Sequence, residues 1–385
     1  MNRPTADSEK DPTAGLQCYQ VGGAVRDALL GLPVQDRDWV VVGATPQDMT
    51  ARGFTPVGRD FPVFLHPGTH EEYALARTER KSGQGYRGFV VHCAPEVSLE
   101  EDLLRRDLTV NAMAIDAEGH LIDPHGGQQD LVQGLLRHVS PAFVEDPVRI
   151  LRVARFCARF GQFRIAPQTL ALMRTMVERG EVDALVPERI WQELARGLMY
   201  SHADRMLDAL QACGALARML PVLNGAWSVP EVRAALERSG ASHAPLPIRW
   251  AVLLHRQTMD EAITLQSTVR PPQACAELAQ MLIREQAALA RTDHDPQTRL
   301  ALLEHCDALR KPDRFELLLQ ALACSREGFE APLNPWRQAL AAARAVQAGV
   351  VAQAVAIEPA STRTERIRAA VAEARCAAIA GLSAL

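Results

Sequence analysis

Two aspartates, Asp36 and Asp38, stand at the start of an apolar, β-branched run, Trp39-Val40-Val41-Val42. Side chains alternate faces along a strand, so carboxylates at i and i+2 project the same way. Like charges placed so repel unless a cation lies between them. An oxygen-only pair with room for water and phosphate oxygens suits Mg2+. Alone, an Asp-x-Asp is more often a solvated turn. A second feature alters that reading: Gly22-Gly23-Ala24-Val25-Arg26-Asp27 separates a strand-like run from a short helical one. Glycines at a helix start let phosphate oxygens approach backbone N–H groups, and Arg26 in the first turn adds a charge-assisted contact. This turn has neither the GxxxxGK nor the GxGxxG pattern, so P-loop and Rossmann binding are unsupported. A phosphate cradle followed by a carboxylate pair points instead to metal-assisted chemistry on a phosphate.

Such a site needs a scaffold. The first third of the chain alternates short apolar runs, LQCYQVGG, DWVVVG, PVFLHPG, EEYALA and GFVVHC, with turn residues. Their length and β-branched content predict strands. AVRDALLGL has helical spacing and stops at Gly31 and Pro33. An α/β domain over residues 17–138 is expected after a disordered polar tail at 1–16, with an exposed loop from about Glu79 to Gly88. Beyond Ser140, stretches such as PAFVEDPVRILRVARFCARFGQF and PERIWQELARGLMY carry apolar residues at three- and four-residue intervals, predicting helices throughout.

The bulk properties set limits. A chain of 385 residues exceeds one ordinary core, and 48% hydrophobic with 23% charged residues is a soluble globular mix. No apolar run approaches a bilayer span, and the polar start lacks the apolar core of a secretory signal. The eight scattered cysteines form no CxxC pair, which is cytoplasmic usage and indicates neither disulfides nor zinc. A net charge of −4 gives no global basic field, so a nucleic-acid partner must be gripped locally. Arg105, Arg106, Arg137, Arg149, Arg152, Arg155, Arg159 and Arg164 supply a local cluster.

The glycine turn, Leu30-Gly31 and Asp36-Arg37-Asp38 together resemble the first signature of the class II tRNA nucleotidyltransferase and bacterial poly(A) polymerase family. Leu104-Arg105-Arg106-Asp107-Leu108-Thr109-Val110-Asn111-Ala112-Met113-Ala114 is similar to its second motif. Asp130-Leu131, Gly134 and Arg137 are similar to the third, Glu145-Asp146-Pro147-Val148-Arg149 to the fourth, and Pro187-Glu188-Arg189-Ile190-Trp191 to the fifth. The resemblance implies an α+β fold: a polymerase-β-like head with a mixed sheet, then all-helical neck, body and tail. These fall at 17–138, 139–196, 197–290 and 291–385. It implies template-free, stepwise addition of C, C and A to the tRNA 3′ end from CTP and ATP, with pyrophosphate released and incomplete ends repaired. Asp36 and Asp38 would be the catalytic carboxylates and Mg2+ ligands. Gly23, Arg26, Arg106, Asp146, Arg149, Arg152 and Arg155 would bind nucleotide, with Gly22, Asp107 and Asn111 as further candidates. Glu72, opening EYALA, is either a third carboxylate or a solvent-facing strand-edge residue. Arg106, Asp107 and Asn111, within one and a half helical turns, either recognise phosphate and ribose or form a bracing ion-pair network.

Base selection gives a sharper expectation. Cytosine and adenine each present an amino donor beside a ring-nitrogen acceptor, whereas uracil and guanine present the reverse. Asp146 can accept from the amine while Arg149 donates to the ring nitrogen, the pair lying three apart on one helix face. Arg152 and Arg155 continue the row, with Ile150, Leu151, Val153 and Phe156 on the packed side.

The chain also departs from many relatives, which carry an apolar run ending in His-Asp within a phosphohydrolase body. Here Trp250-Ala251-Val252-Leu253-Leu254 ends in His255-Arg256, a cation where a metal ligand belongs, and phosphohydrolase activity is expected to be absent. His294-Asp295 lies in a proline-bearing loop and reads as a cap or turn. A poly(A) polymerase, or an enzyme adding only CC or only A, shares the head motifs. The oligomeric state is left open, a monomer being one answer.

Overall fold

The computed structural model describes residues 11–57, 63–81, 89–291, 293–328, 333–355 and 360–384. The chain divides into two compact units, Met1–Ile190 with Asp208–Met219, and Trp191–Leu207 with Leu220–Leu385.

The strands are β1 (Gln17–Val21), β2 (Asp38–Val42), β3 (Thr55–Val57), β4 (Val63–Leu65), β5 (Glu72–Leu75), β6 (Thr78–Lys81), β7 (Phe89–His92), β8 (Ala114–Ile115), β9 (Leu121–Ile122), β10 (Leu135–Leu136) and β11 (Arg164–Ile165). All five expected runs are strands. Seven form a mixed sheet in the order β3-β4-β5-β2-β1-β8-β9, in which only β2 and β5 run parallel. Alternation divides β2 between two cores. Val40 packs with Val21, Leu99, Leu103 and Ala112 on one face, and Val41 with Met49, Phe54, Phe64 and Tyr73 on the other. Trp39 stacks on Tyr73 at 5.5 Å on that second face, so Asp38 belongs to the face of Val40.

The first unit's helices include α1 (Gly23–Leu29), α2 (Pro46–Ala51), α3 (Leu99–Leu104), α4 (Gly127–Gln133), α5 (Val148–Arg159) and α6 (Pro167–Glu178). A Ser98–Glu101 capping box starts α3. Arg106, Asp107 and Asn111 do not share one helix. Instead α3 stops at Leu104, Leu108 is extended, and Thr109–Asn111 forms a single 3-10 turn. The Asp107 carboxylate accepts the Leu108 N–H at 2.9 Å, a local bond that competes with helix continuation. Residues 11–16 also differ from the expected disorder. They form a turn whose Pro12 and Ala14 carbonyls accept from Arg52 at 3.2 and 2.7 Å. Residues 1–10 of that expected tail lie outside the described residues, as do 82–88 of the expected loop; β6 runs into the loop as far as Lys81.

The helices continue with α7 (Pro187–Leu198), α8 (Ala203–Ala212), α9 (Ala215–Met219), α10 (Pro221–Trp227), α11 (Pro230–Ala241), α12 (Leu246–Leu254), α13 (Met259–Val269), α14 (Gln273–Leu289), α15 (Pro296–His305), α16 (Pro312–Ser325), α17 (Asn334–Ala345), α18 (Ala348–Ala354) and α19 (Ala360–Ala380). Within the second unit His255 is buried at the end of α12, its Nδ1 2.7 Å from the Val252 carbonyl, and Arg256 lies 3.6 Å from Glu231. Asp295 is the N-cap of α15, accepting the Thr298 N–H at 2.9 Å, as its loop setting suggested. Among the described residues no helix is long and apolar enough to cross a membrane.

Candidate active site

Strand register builds the site. Val21, the last residue of β1, lies opposite Asp38, the first of β2, so the Gly22-Gly23 turn emerges beside that carboxylate. Glu72, the first residue of β5, is the parallel partner of Asp38 on its other side. Gly22 has φ 70° and ψ −128°, a conformation open only to glycine. A Cβ there would also lie 2.9 Å from Arg106 Nη1.

A cavity of about 430 Å³ opens at this end of the sheet. It gathers Gly22, Gly23, Arg26, Asp38, Arg106, Asp107, Asn111, Asp146, Arg149, Arg152 and Arg155, all of them sequence candidates. Asp36 and Glu72 are exposed and are not among its lining residues. Arg105, Phe156, Arg159 and Arg189 also line it. Arg189 was marked only by the fifth motif. Arg159 follows Arg152 by two helical turns, a spacing that placed it on the same stripe.

Eight arginines face three aspartates in the lining, a surplus of positive charge suited to a polyphosphate. Burial raises the Asp38 pKa above its ordinary value, and Asp36 adds to this, while Arg106 opposes it. Asp38, like Asp36, is nonetheless exposed, so the surrounding protein mass rather than enclosure is responsible. A carboxylate destabilised by a like charge, in a set made only of oxygens, fits a hard divalent cation.

Asp107 behaves in the opposite sense. Burial would raise its pKa, but Arg152, whose Nε donates to Oδ2 at 2.7 Å, and the Asn111 amide hold it well below the carboxylate range. The bracing network anticipated for this segment therefore exists. Arg26 belongs to it too: buried, it donates to Asp27 at 2.8 and 2.9 Å and to the Asn111 side chain. Its guanidinium carbon also lies 5.1 Å from the Phe156 centroid and 5.2 Å from that of Phe160. Arg155 lies 4.6 Å from the Phe156 centroid, so this ring is clasped by guanidinium groups at the cavity wall rather than confined to the apolar side of α5.

The fourth motif also differs from expectation in backbone. Asp146 precedes Pro147 and is extended at φ −120°, ψ 105°; α5 begins only at Val148. A residue before proline is driven from the helical region by the ring Cδ. Asp146 and Arg149 are thus not on one helix face, although both line the cavity. Asp146 accepts from Arg189 Nη2 at 3.1 Å and Nη1 at 3.3 Å, and from the Val148 N–H at 3.0 Å. Arg149 donates to the carbonyls of Ala142 at 2.9 Å and Arg105 at 2.7 Å.

The third motif is spent on structure: Asp130 accepts from Thr109 at 2.7 Å and from Arg137 at 3.0 Å, bracing the 3-10 turn. Asp116, Glu118 and His120 bring ligand atoms within 4.8 Å of one another. They form the exposed turn between β8 and β9, where Asp116 accepts the Glu118 and His120 N–H groups, so its lone pairs serve the turn.

The chain is similar to known proteins over most of its length. Residues 18–137 match the poly A polymerase head domain, and residues 162–226 match the probable RNA and SrmB-binding site of polymerase A. The chain is 54% identical to the multifunctional CCA protein of Azoarcus sp. (strain BH72), covering 89% of this chain and 92% of that one. It is also 54% identical to the CCA-adding enzyme of Bordetella bronchiseptica, covering 96% and 98%. The crystal structure of the Bacillus stearothermophilus CCA-adding enzyme in complex with CTP superimposes with a TM-score of 0.71 at 25% identity, over 93% of this chain and 88% of that one. With relatives this similar over nearly its whole length, the chain belongs to the family of CCA-adding enzymes, tRNA nucleotidyltransferases with a poly(A) polymerase head domain.

Proposed function

We propose that this chain adds C, C and A stepwise to the 3′ end of tRNA, using CTP and ATP without a nucleic-acid template, and repairs incomplete ends. The observation that carries the reading is one cavity in which Asp38, the glycine turn and the α5 arginines meet. Asp36 and Asp38 would hold Mg2+, which when bound neutralises phosphate charge and favours ionisation of the attacking 3′-hydroxyl. Gly22 and Gly23 let the triphosphate approach the backbone, and Arg106, Arg152 and Arg155 offset its charge. Arg26, held between Asp27 and two phenyl rings, keeps the turn against α5 and presents positive charge at the cavity wall.

Base choice falls to Asp146 and Arg149. A carboxylate has about four lone-pair sites. Three of those on Asp146 accept from Arg189 and Val148, leaving one for an exocyclic amine. Arg149 donates to the ring nitrogen. Guanine or uracil would set donor against donor and acceptor against acceptor. In this reading residues 17–138 are the head, 139–196 the neck, and 197–290 and 291–385 a body and tail that supply tRNA contacts. The protein works in the cytoplasm, where its free cysteines stay reduced. Arg256 beside His255 leaves the body without phosphohydrolase activity.

The test is incubation with tRNA lacking CCA, Mg2+ and each nucleotide in turn. Addition that stops after CCA supports the reading; repeated A addition to generic RNA would identify a poly(A) polymerase instead. In the same assay Arg149→Ala is expected to admit UTP and GTP, and unchanged selectivity would remove Arg149 from the base-reading role. Release of phosphate from 2′-phosphorylated or 2′,3′-cyclic substrates with added Ni2+ would refute the loss of phosphohydrolase activity.

A further inference from the structure

Asp102 lies behind the cavity rather than in its lining, and no water reaches it: the residue is 0% exposed. An isolated carboxylate so deep would be costly, so its partners are informative. Its Oδ1 accepts from Arg105 Nη2 at 2.7 Å, Arg105 Nε at 3.0 Å and the Arg77 N–H at 3.3 Å. Its Oδ2 accepts from Arg106 Nη2 at 3.1 Å. Arg106 is held at its other nitrogen too, Nη1 donating to the Asn111 carbonyl at 3.3 Å. Among the described residues its buried Nε has no hydrogen-bond partner, so those two bonds orient the guanidinium. That orientation brings Nη1 to where a side chain on Gly22 would begin.

We infer that Asp102 is a positioning residue for nucleotide binding: by gripping Arg106 from behind, it aims the guanidinium at the triphosphate cradle of the Gly22-Gly23 turn. This rests on the reading of Arg106 as a phosphate ligand. The same carboxylate fixes Arg105, whose Nε also donates to the Arg77 carbonyl at 3.0 Å and whose own carbonyl accepts from Arg149. The phosphate contact and the base-reading arginine are thereby referred to one buried anion.

Asp102→Asn keeps the shape and removes half of the acceptors. The amide oxygen will settle toward the three donors on the Oδ1 side, leaving its NH2 facing Arg106, donor against donor. Losing one charge-assisted bond that aims a ligand predicts a KM for CTP and ATP raised about ten- to a hundredfold, with kcat changed far less. Arg106→Ala should raise KM similarly, and Asp102→Asn in that background should add less than about twofold, since the shared contact is already gone. An equal rise in both backgrounds would mean a merely structural role and overturn the inference. So would an unchanged KM in Asp102→Asn while Arg106→Ala is impaired. If Arg106→Ala itself binds nucleotide normally, the reading of Arg106 falls first. Should Asp102→Asn fail to fold, Arg106→Lys decides. Its single ammonium keeps the charge but cannot span Asp102 and the Asn111 carbonyl, so KM should rise at least about tenfold, and a wild-type KM would overturn the inference.

Discussion

Arg152→Met should unmask how much of the site depends on one buried carboxylate. Arg152 Nε donates to Asp107 Oδ2 at 2.7 Å, and Asp107 is 6% exposed. After substitution the Leu108 N–H and the Asn111 amide remain, both on Oδ1 at 2.9 Å, and Oδ2 loses its donor. Breaking a buried pair from one side costs about 3–5 kcal/mol. The Arg152 side chain is itself 37% exposed, so solvent screens part of the attraction, and about 2–3 kcal/mol is the appropriate scale. The pH dependence distinguishes this from a loss of packing. In the native protein burial pushes the Asp107 pKa up, but Arg152 and the Asn111 amide outweigh it, leaving the pKa depressed. Its contribution is therefore complete above the unfolded value near 4 and is lost as pH falls through the lower folded value. In the variant burial is expected to prevail over the remaining Asn111 amide and Arg149, moving the folded pKa above the unfolded one. The deficit is then full at pH 7.5 and shrinks toward pH 4.5 as Asp107 takes up a proton. Hydrogen exchange at the α5 amides, measured against urea at both pH values, reads it. Asp107→Asn added to Arg152→Met should recover most of the stability at pH 7.5. A deficit below about 1 kcal/mol, or one identical at both pH values, would refute the reasoning.

Three further outcomes follow from the same geometry. Asp38→Ala should abolish nucleotide addition while leaving the melting temperature unchanged or slightly higher, since it removes a carboxylate disfavoured by burial and by Asp36; residual turnover above about 1% would exclude Asp38 from the chemistry. Because the Asp38 pKa is raised, protons compete with the cation from a higher pH than for an ordinary aspartate, so Mg2+ affinity measured by calorimetry should fall as pH drops through that raised value, and Asp38→Asn should flatten the dependence. Gly22→Ala should cost about 1–3 kcal/mol from its positive φ and raise the nucleotide KM through displacement of Arg106, whereas Gly31→Ala, with a similar φ of 67° and nothing within 4 Å of its Cβ, should cost stability without changing KM.

The fold was legible where local chemistry and tertiary need coincide. Val40 and Val41 alternate between two cores, and the continuous apolar run Trp39-Val40-Val41-Val42 suits a strand buried on both faces. What the pattern withholds is strand order. Nothing in EYALA states that Glu72 lies beside Asp38 in a parallel pair, because register is set by distant partners such as Trp39 on Tyr73. The very short strands β8 to β11 lack enough residues for any periodicity. The single helix expected through Asn111 failed for a related reason, since helical spacing cannot reveal that Asp107 will bond its own neighbour's N–H.

Which residues gather at the cavity was more legible than how they bond, although Asp36 and Glu72 are not among its lining. Residue types announce which groups are charged, and motif spacing gathers them, but partnership among arginines and aspartates is decided by burial. Asp146 and Arg149, three apart, were expected on one helix face, yet Asp146 precedes the helix and accepts from Arg189 while Arg149 donates to two backbone carbonyls. Proline at 147 supplied the missing clue, since it excludes Asp146 from the helix that carries Arg149. Arg26 had the composition of a phosphate ligand, and its burial against Phe156, Phe160 and Asp27 gives it a bracing role as well. A site that must hold a polyphosphate concentrates like charge, and that charge is tolerable before substrate arrives only if several guanidinium groups are already neutralised. Asp27, Asp102, Asp107 and Asp146 do this for Arg26, Arg159, Arg105, Arg106, Arg152 and Arg189. On the proposed reading these acids, of which Asp27, Asp102 and Asp107 are buried, are as much a requirement of nucleotide binding as the arginines themselves, and a substitution at any of them should alter affinity for the triphosphate through the arginine it holds.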